Sequence, residues 1–241
     1  MITNALQDID NFENIALNSD FLGKKIYTEY LSKKDVDTSS FYVIDNAIFM
    51  LSGNNITLTG NVTKENLEEI IVFSSFLGAK TIESQILNLP LEVEMKLFLM
   101  KYSSLPEATD YDVEINRDIY SFANFCCSNF QSISFDMVYS SFARKVNKGL
   151  SNIYYIKDKE KIISGAVSTE YDENTRYITF VCTDTEYRKQ GYAQKIINYI
   201  ATQNNDKNIL LTCEYKLKDY YEKLGFKNTD IIKVYNTKGI K

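Results

Sequence analysis

Apolar positions recur along this chain at two periods, and the switch between them marks out its elements. Spacings of three and four residues, the period of one helix face, run through "NALQDIDNFENIAL" and "SDFLGKKIYTEYL" and predict two helices, the second opening on a Ser-Asp cap. "FYVIDNAIFMLSGNNITLTG" then supplies short strand-like runs broken by Gly and Asn. A helix over "TKENLEEIIVFSSFLG" and a strand in "AKTIESQIL" follow. Thr63 suits the cap of that helix, Glu65 its first turn and Gly78 its stop. The amino-terminal third therefore reads as α/β.

The polar, acidic cluster "SSLPEATDYD", Ser103 to Asp112, holds one of the chain's 2 prolines and predicts a seam, with domains over 1–107 and 108–241. Beyond it, "DVEINRD" reads as a short strand, "IYSFANFCCSNF" and "SFDMVYSSFARKV" as helices, and "SNIYYIKD", "EKIISGAVSTE" and "TRYITFVCTD" as strands. The intervening turns, Lys157 to Lys161 and Glu170 to Arg176, are short enough for hairpins, so these three strands should pair antiparallel. In the next helix Ala193, Ile196, Ile197, Ile200 and Ala201 share one face, which should pack on the sheet. A strand "NILLTCE", a helix "KLKDYYEKLGF" and a strand "DIIKVYNT" complete the order. Leu217, Tyr220 or Tyr221, and Leu224 form that helix's stripe, and Gly225 sits at its C-cap with Phe226 placed to fold back on the last turn.

Composition narrows the function. With 241 residues, 44% of them hydrophobic, the chain can bury one large core or two small ones, and two is the expectation. A net charge of -5 without a Lys/Arg cluster argues against a nucleic-acid partner and suits a cationic ligand. No stretch reaches the apolar length of a membrane span, and the acidic start "MITNALQDIDNFENIA" is unlike a signal peptide, so no membrane partner and a cytoplasmic location are expected. Cys126, Cys127, Cys182 and Cys213 lack metal-ligand spacing and read as buried free thiols, with no metal. The chain has no histidine, which removes Ser-His-Asp and Cys-His nucleophiles and histidine zinc sites. Proton transfer is left to carboxylates, tyrosines, lysines, cysteines or water.

Candidate chemistry gathers in "TDTEYRKQGYAQ". Gly191 and Ala193 straddle a strand-to-helix turn, where small residues let backbone approach a ligand and the first helical N–H groups face outward. Such a turn binds phosphate. Arg188 and Lys189 strengthen the field, and no acidic residue follows within the helix. Helix-entry glycines also serve simply to turn a chain, and the phrase alone is a weak signal.

About thirty residues on, "YYEKLGF" supplies a second phrase. Together the two resemble the GNAT superfamily of N-acetyltransferases, whose phosphate loop runs Arg or Gln, two residues, Gly, one residue, Gly or Ala, here Arg188, Gly191 and Ala193. A later Tyr-x-x-x-Gly-Phe phrase of the family is matched by Tyr221, Gly225 and Phe226. The order of elements from Asp112 to Asn236 also agrees with the family's mixed α/β fold.

The resemblance implies acetyl-CoA as cosubstrate, its pantetheine lying along the strand Tyr177 to Thr183 against main-chain groups of Val181, Cys182 and Thr183. It implies that Arg188, Lys189, Gln190, Gly191, Tyr192 and Ala193 hold the pyrophosphate. A primary amine, of a small molecule or a peptide, would attack the thioester directly, with no acyl-enzyme on Cys182 or Cys213. The tyrosine matching Tyr221 would protonate the leaving thiolate, with Tyr220 as competitor. Where some relatives carry a glutamate base this chain has Ile178, so the base stays open among Glu214, Glu170, Glu173 and water. A non-catalytic acyl-CoA-binding sensor or scaffold is the alternative, and a bare interaction module a third.

The amino-terminal region, strand, helix, strand over "NNITLTG" to "AKTIES", resembles a degenerate half of the same fold. It offers no Gly-x-Gly or Gly-x-Ala phrase at Asn61 to Lys64, and Glu65, Glu68 and Glu69 would repel phosphate at the helix start. Its expected tasks are covering an acceptor cleft, in part built from Phe130 to Phe135 and Glu170 to Thr175, or forming a homodimer contact.

Overall fold

The computed structural model describes residues 1–86, 89–104, 112–130 and 133–237. The seam expected at 107 lies outside the described residues. The chain divides into two compact units, the first comprising Met1–Leu99, Cys213–Lys218 and Thr229–Lys241, the second Met100–Thr212 and Asp219–Asn228.

In the first unit, β1 (Thr3–Asn4) is followed by α1 (Ile9–Asn18), α2 (Phe21–Lys33), β2 (Phe41–Ile44), β3 (Ala47–Ser52), β4 (Asn55–Gly60), α3 (Lys64–Phe76), β5 (Thr81–Ser84) and the start of β6 (Glu92–Tyr102). Neighbours from β1 to β4 pair antiparallel, and β4 pairs parallel with β5. The α2 cap is Asp20, accepting from Leu22 and Gly23 N–H; Thr63 caps α3 through Asn66 N–H. Successive strand residues face opposite sides. Thus Phe41, Val43, Ile48 and Met50 meet Phe12, Ile26 and Tyr30 of α1 and α2, whereas Ile44, Phe49 and Leu58 meet Leu67, Ile70 and Ile71 of α3.

The second unit holds β7 (Glu114–Ile115), α4 (Ile119–Asn129), α5 (Phe135–Asn147), β8 (Ser151–Asp158), β9 (Lys161–Asp172), β10 (Thr175–Thr183), α6 (Tyr192–Gln203) and most of β11 (Asn208–Glu214). Its pairing is the same: antiparallel from β7 to β10, then β10 parallel with β11. The first unit thus repeats the second unit's succession and strand directions. One face buries Phe122, Cys126, Val138 and Phe142 of α4 and α5 against Ile153, Tyr155, Val167 and Cys182. Along α6, Ile196, Ile197, Ile200 and Ala201 are buried, the face the periodicity predicts. The chain ends its described part with α7 (Tyr215–Lys223) and β12 (Phe226–Asn236), whose Lys233–Asn236 pair antiparallel with β5.

Three expectations need correction. The sequence reading leaves out β6, "EVEMKLFLMKY", because its alternating Val93 and Met95 stand among charges and stay exposed, at 38% and 39%. It begins β12 too late, since Phe226 to Thr229 already extend the strand ahead of the "DIIKVYNT" run. On α7 only Tyr221 is buried, which decides between the two tyrosines offered for the stripe; Leu217, also placed there, is 41% exposed. Among the described residues no helix is long and apolar enough to cross a membrane, and no His/Cys/Asp/Glu group could hold a metal ion.

Candidate active site

The second unit contains an unzipped parallel pair. Between β10 and β11 the partners are Thr175 with Asn208, Arg176 with Ile209 and Tyr177 with Leu210, after which β10 continues to Thr183 with no further partner on β11 among the described residues. A 2.5 Å hydrogen bond between the Tyr177 and Thr212 hydroxyls links the two strands beyond the last pair.

Along its other edge, β10 stays on β9 but slips by a bulge between Thr179 and Cys182. Phe180 takes a φ of 52° there, the left-handed region that a bulky side chain occupies only under tertiary constraint. That constraint is edge-to-face packing on Phe130 and Phe142, at 5.6 and 5.0 Å. After the bulge, Asp184 N–H donates to the Ile163 carbonyl at 2.8 Å. Antiparallel alternation then turns the Cys182 main chain toward β9 as well, and turns the main-chain groups of Val181 and Thr183 toward the open edge. The Cys182 carbonyl also accepts from the Ser164 hydroxyl at 3.1 Å. Of the three residues expected to present backbone, Cys182 is turned to β9, and at Thr183 the carbonyl is taken by the Arg188 guanidinium. The Cys182 side chain faces the α4 core, where a hydrogen bond to it, with burial, pushes the Cys126 thiol far up.

The strand runs into a tight loop. Asp184 caps a single turn over Thr185–Tyr187 by accepting from Glu186 N–H. Lys161 holds both acids, at 3.0 Å to Asp184 and 3.5 Å to Glu186, and its hydrogen bond keeps the Asp184 carboxyl below its ordinary range. Lys189 and Gly191 both have left-handed φ, 62° and 81°. Gly191 enters α6 with no side-chain cap, and the first intrahelical bond runs from Lys195 N–H to the Gly191 carbonyl. The N–H groups of Tyr192, Ala193 and Gln194 therefore belong to the part of the helix that has no internal acceptor. A Cβ added at Gly191 would meet nothing within 4 Å, so the space before the helix start is open. Arg188, Lys189 and Gln190 are exposed beside it. The Arg188 guanidinium donates to the Thr183 carbonyl at 3.0 Å and to Asn129 at 3.4 Å. Helix dipole and free backbone N–H groups, with two cations at the mouth, make a cradle that can receive an anion.

The proton-transfer candidates are spread more widely. Tyr221 is buried on α7, its ring edge-on to Phe226 at 5.7 Å and to Tyr220 at 5.2 Å. Burial raises the Tyr220 phenol above its ordinary value. Glu214 ends β11 and pairs with Lys216 at 2.7 Å. Glu170 is held by Arg176 at 2.6 Å and Lys207 at 3.4 Å. Glu170 and Glu173 belong to the hairpin that precedes β10, whereas the cradle follows its end; at about 3.3 Å per residue the strand separates them by more than 20 Å. Ile178 is buried, as an apolar residue at that place should be. Sequence reasoning missed the bulge, Lys161 and Asn129; nothing in residue type alone signals a left-handed Phe.

Residues 150–228 match the family described as the acetyltransferase (GNAT) domain. No curated protein matches in sequence. Among solved structures, the chain is similar to an acetyltransferase of the GNAT family from Colwellia psychrerythraea, with a TM-score of 0.59 at 11% identity over 86% of this chain and 89% of that one. It is similar also to a tandem GNAT protein from the clavulanic acid biosynthesis pathway, with a TM-score of 0.57 at 8% identity over 89% of each. At such identities the likeness is one of fold. The tandem relative accords with the repeated succession of the two units.

Proposed function

We infer that this protein, whose residues 150–228 belong to the GNAT acetyltransferase family, transfers an acyl group from an acyl-CoA, and we propose that the group is acetyl and the acceptor a primary amine. One observation carries the reading: the β10 edge loses its partner after Tyr177 and leads into an open, uncapped helix start at Gly191. An extended pantetheine arm fits such an edge as an added strand, bonded to the main chain of Val181 and Thr183. The pyrophosphate fits the α6 N–H groups with Arg188 and Lys189. The thioester supplies the activated carbonyl, and a main-chain N–H at the bulge would stabilise its oxygen as charge develops.

The amine attacks the carbonyl carbon directly: a C–N bond forms, the C–S bond breaks, and orientation in the ternary complex supplies much of the rate. The nitrogen loses one proton and the sulfur gains one. Tyr221 is the proposed donor to sulfur, with the neighbouring Tyr220 as the competing phenol. Glu214, the carboxylate ending β11, is the proposed acceptor of the amine proton, directly or through water. Glu170, held by Arg176 and Lys207 at the hairpin before β10, lies at the opposite end of that strand from Gly191. The test is CoA thiol release from acetyl-CoA across a panel of primary amines. Amine-dependent release supports the reading; binding of acetyl-CoA with no release from any amine would leave an acyl-CoA-binding protein in its place.

A further inference from the structure

At the end of β4 the first unit has an open, polar surface depression with a volume of about 500 Å³. It lies at the α1–α2 turn, the β2–β3 turn and the carboxyl end of β4, with Asn18, Asp20, Asn46, Thr59 and Asn61 in its wall. The corresponding elements of the second unit, α4–α5, β8–β9 and the end of β10, adjoin the anion cradle. The chemistry differs, because no Lys or Arg lines this depression and its single ionisable residue is a carboxylate.

That carboxylate is unevenly satisfied. Asp20 Oδ1 accepts from Leu22 N–H at 3.0 Å, Gly23 N–H at 3.2 Å and the Thr59 hydroxyl at 2.8 Å. Its Oδ2 has no partner among the described residues. Burial, with Asp230 nearby, raises its pKa against the pull of those three bonds. The α2 dipole offsets about half a unit charge, which leaves the wall net negative. Around it stand side-chain amides and a hydroxyl, and Ile15 is the apolar residue of the lining.

We propose that this depression is a second ligand site, taking a small hydroxylated ammonium compound of the amino-sugar or amino-alcohol class, with the ammonium on Asp20 Oδ2 and the hydroxyls on the asparagine rim. The site stands apart from acyl transfer and does not depend on it. A phosphate compound is disfavoured by the same charge.

The test is a backbone amide NMR titration of the full chain with galactosamine, with galactose as the neutral match. Galactosamine should shift Thr59, Gly60 and Asn61 saturably with a millimolar or lower Kd, and galactose should bind at least tenfold more weakly. Asp20→Asn keeps a capping side chain and should weaken galactosamine binding at least tenfold while acetyl-CoA binding is unchanged. Asn61→Ala, on the rim, provides a second variant and should weaken it severalfold. Absence of saturable shifts with galactosamine, equal binding of galactose, or full affinity in Asp20→Asn would each overturn the proposal.

Discussion

Tyr177 and Leu210 are the last residues paired between β10 and β11, and everything proposed for the second unit follows from that ending. A central parallel strand with an unpaired edge holds main-chain donors and acceptors that would otherwise stay unsatisfied. Val181 and the Thr183 N–H stand at that edge, beyond the bulge at Phe180, while the Thr183 carbonyl accepts from Arg188.

Gly225 is held by a close approach. Its φ is 94°, its carbonyl accepts from Ser103 N–H at 2.9 Å, and an added Cβ would overlap the Ser104 side chain. Gly225→Ala should therefore destabilise the protein by about 2–4 kcal/mol, from left-handed strain plus overpacking. A urea midpoint unchanged from wild type would refute this.

Lys25, half-buried, pairs at 2.6 Å with the buried carboxylate of Glu83, to which Thr57 adds a hydrogen bond at 3.1 Å. Burial raises the Glu83 pKa, but the Lys25 charge and hydrogen bonds from Lys25, Thr57 and Asn55 outweigh it and leave the carboxyl below 4.5. A depressed folded pKa contributes stability above the unfolded value that is lost as pH falls through the folded one. Lys25→Met should cost about 3–5 kcal/mol at pH 7. The gap from wild type should narrow as pH drops below 4.5. Paired thermal melts at neutral and acidic pH check both; a gap that widens on acidification contradicts the assignment.

The fold was legible where pattern and element coincide. The β8–β9–β10 hairpins, the α6 face and the Asp20 and Thr63 caps follow from period and capping chemistry. The loop at Arg188 to Ala193 was legible because Gly191 needs its left-handed φ. The bulge was not, since Phe180 is forced into its conformation by Phe130 and Phe142, partners distant in sequence. β6 was missed for the opposite reason, its apolar alternation lying exposed among charges. That Cys182 turns its main chain to β9 while Val181 and Thr183 face away depends on strand register, which one sequence does not display.

Tyr221→Phe keeps the ring that packs on Phe226 and removes the hydroxyl. Turnover with acetyl-CoA should fall on the order of 100-fold, the lower range for a lost general acid, with acetyl-CoA affinity retained. Tyr220→Phe should stay within a few-fold. Steady-state kinetics of the two variants decide which phenol serves the sulfur, and equal, unimpaired turnover would remove both.

Cys126, Cys182 and Cys213 are buried, whereas Cys127 is partly exposed. Modification of the native protein by a thiol-specific disulfide reagent should proceed with one fast equivalent at Cys127, the others reacting only on unfolding. Peptide mapping after a short exposure identifies the site, and fast labelling of Cys126 or Cys182 would contradict their place in the α4 core.

Calorimetric titration of the full chain with acetyl-CoA, beside a Gly191→Glu variant whose fold is checked by circular dichroism, tests the central claim most directly. Micromolar binding by the wild type, weakened at least tenfold by the variant's carboxylate at the helix entry, is the predicted result. No binding by the folded wild type, or equal binding by the variant, would contradict a cofactor site at the start of α6.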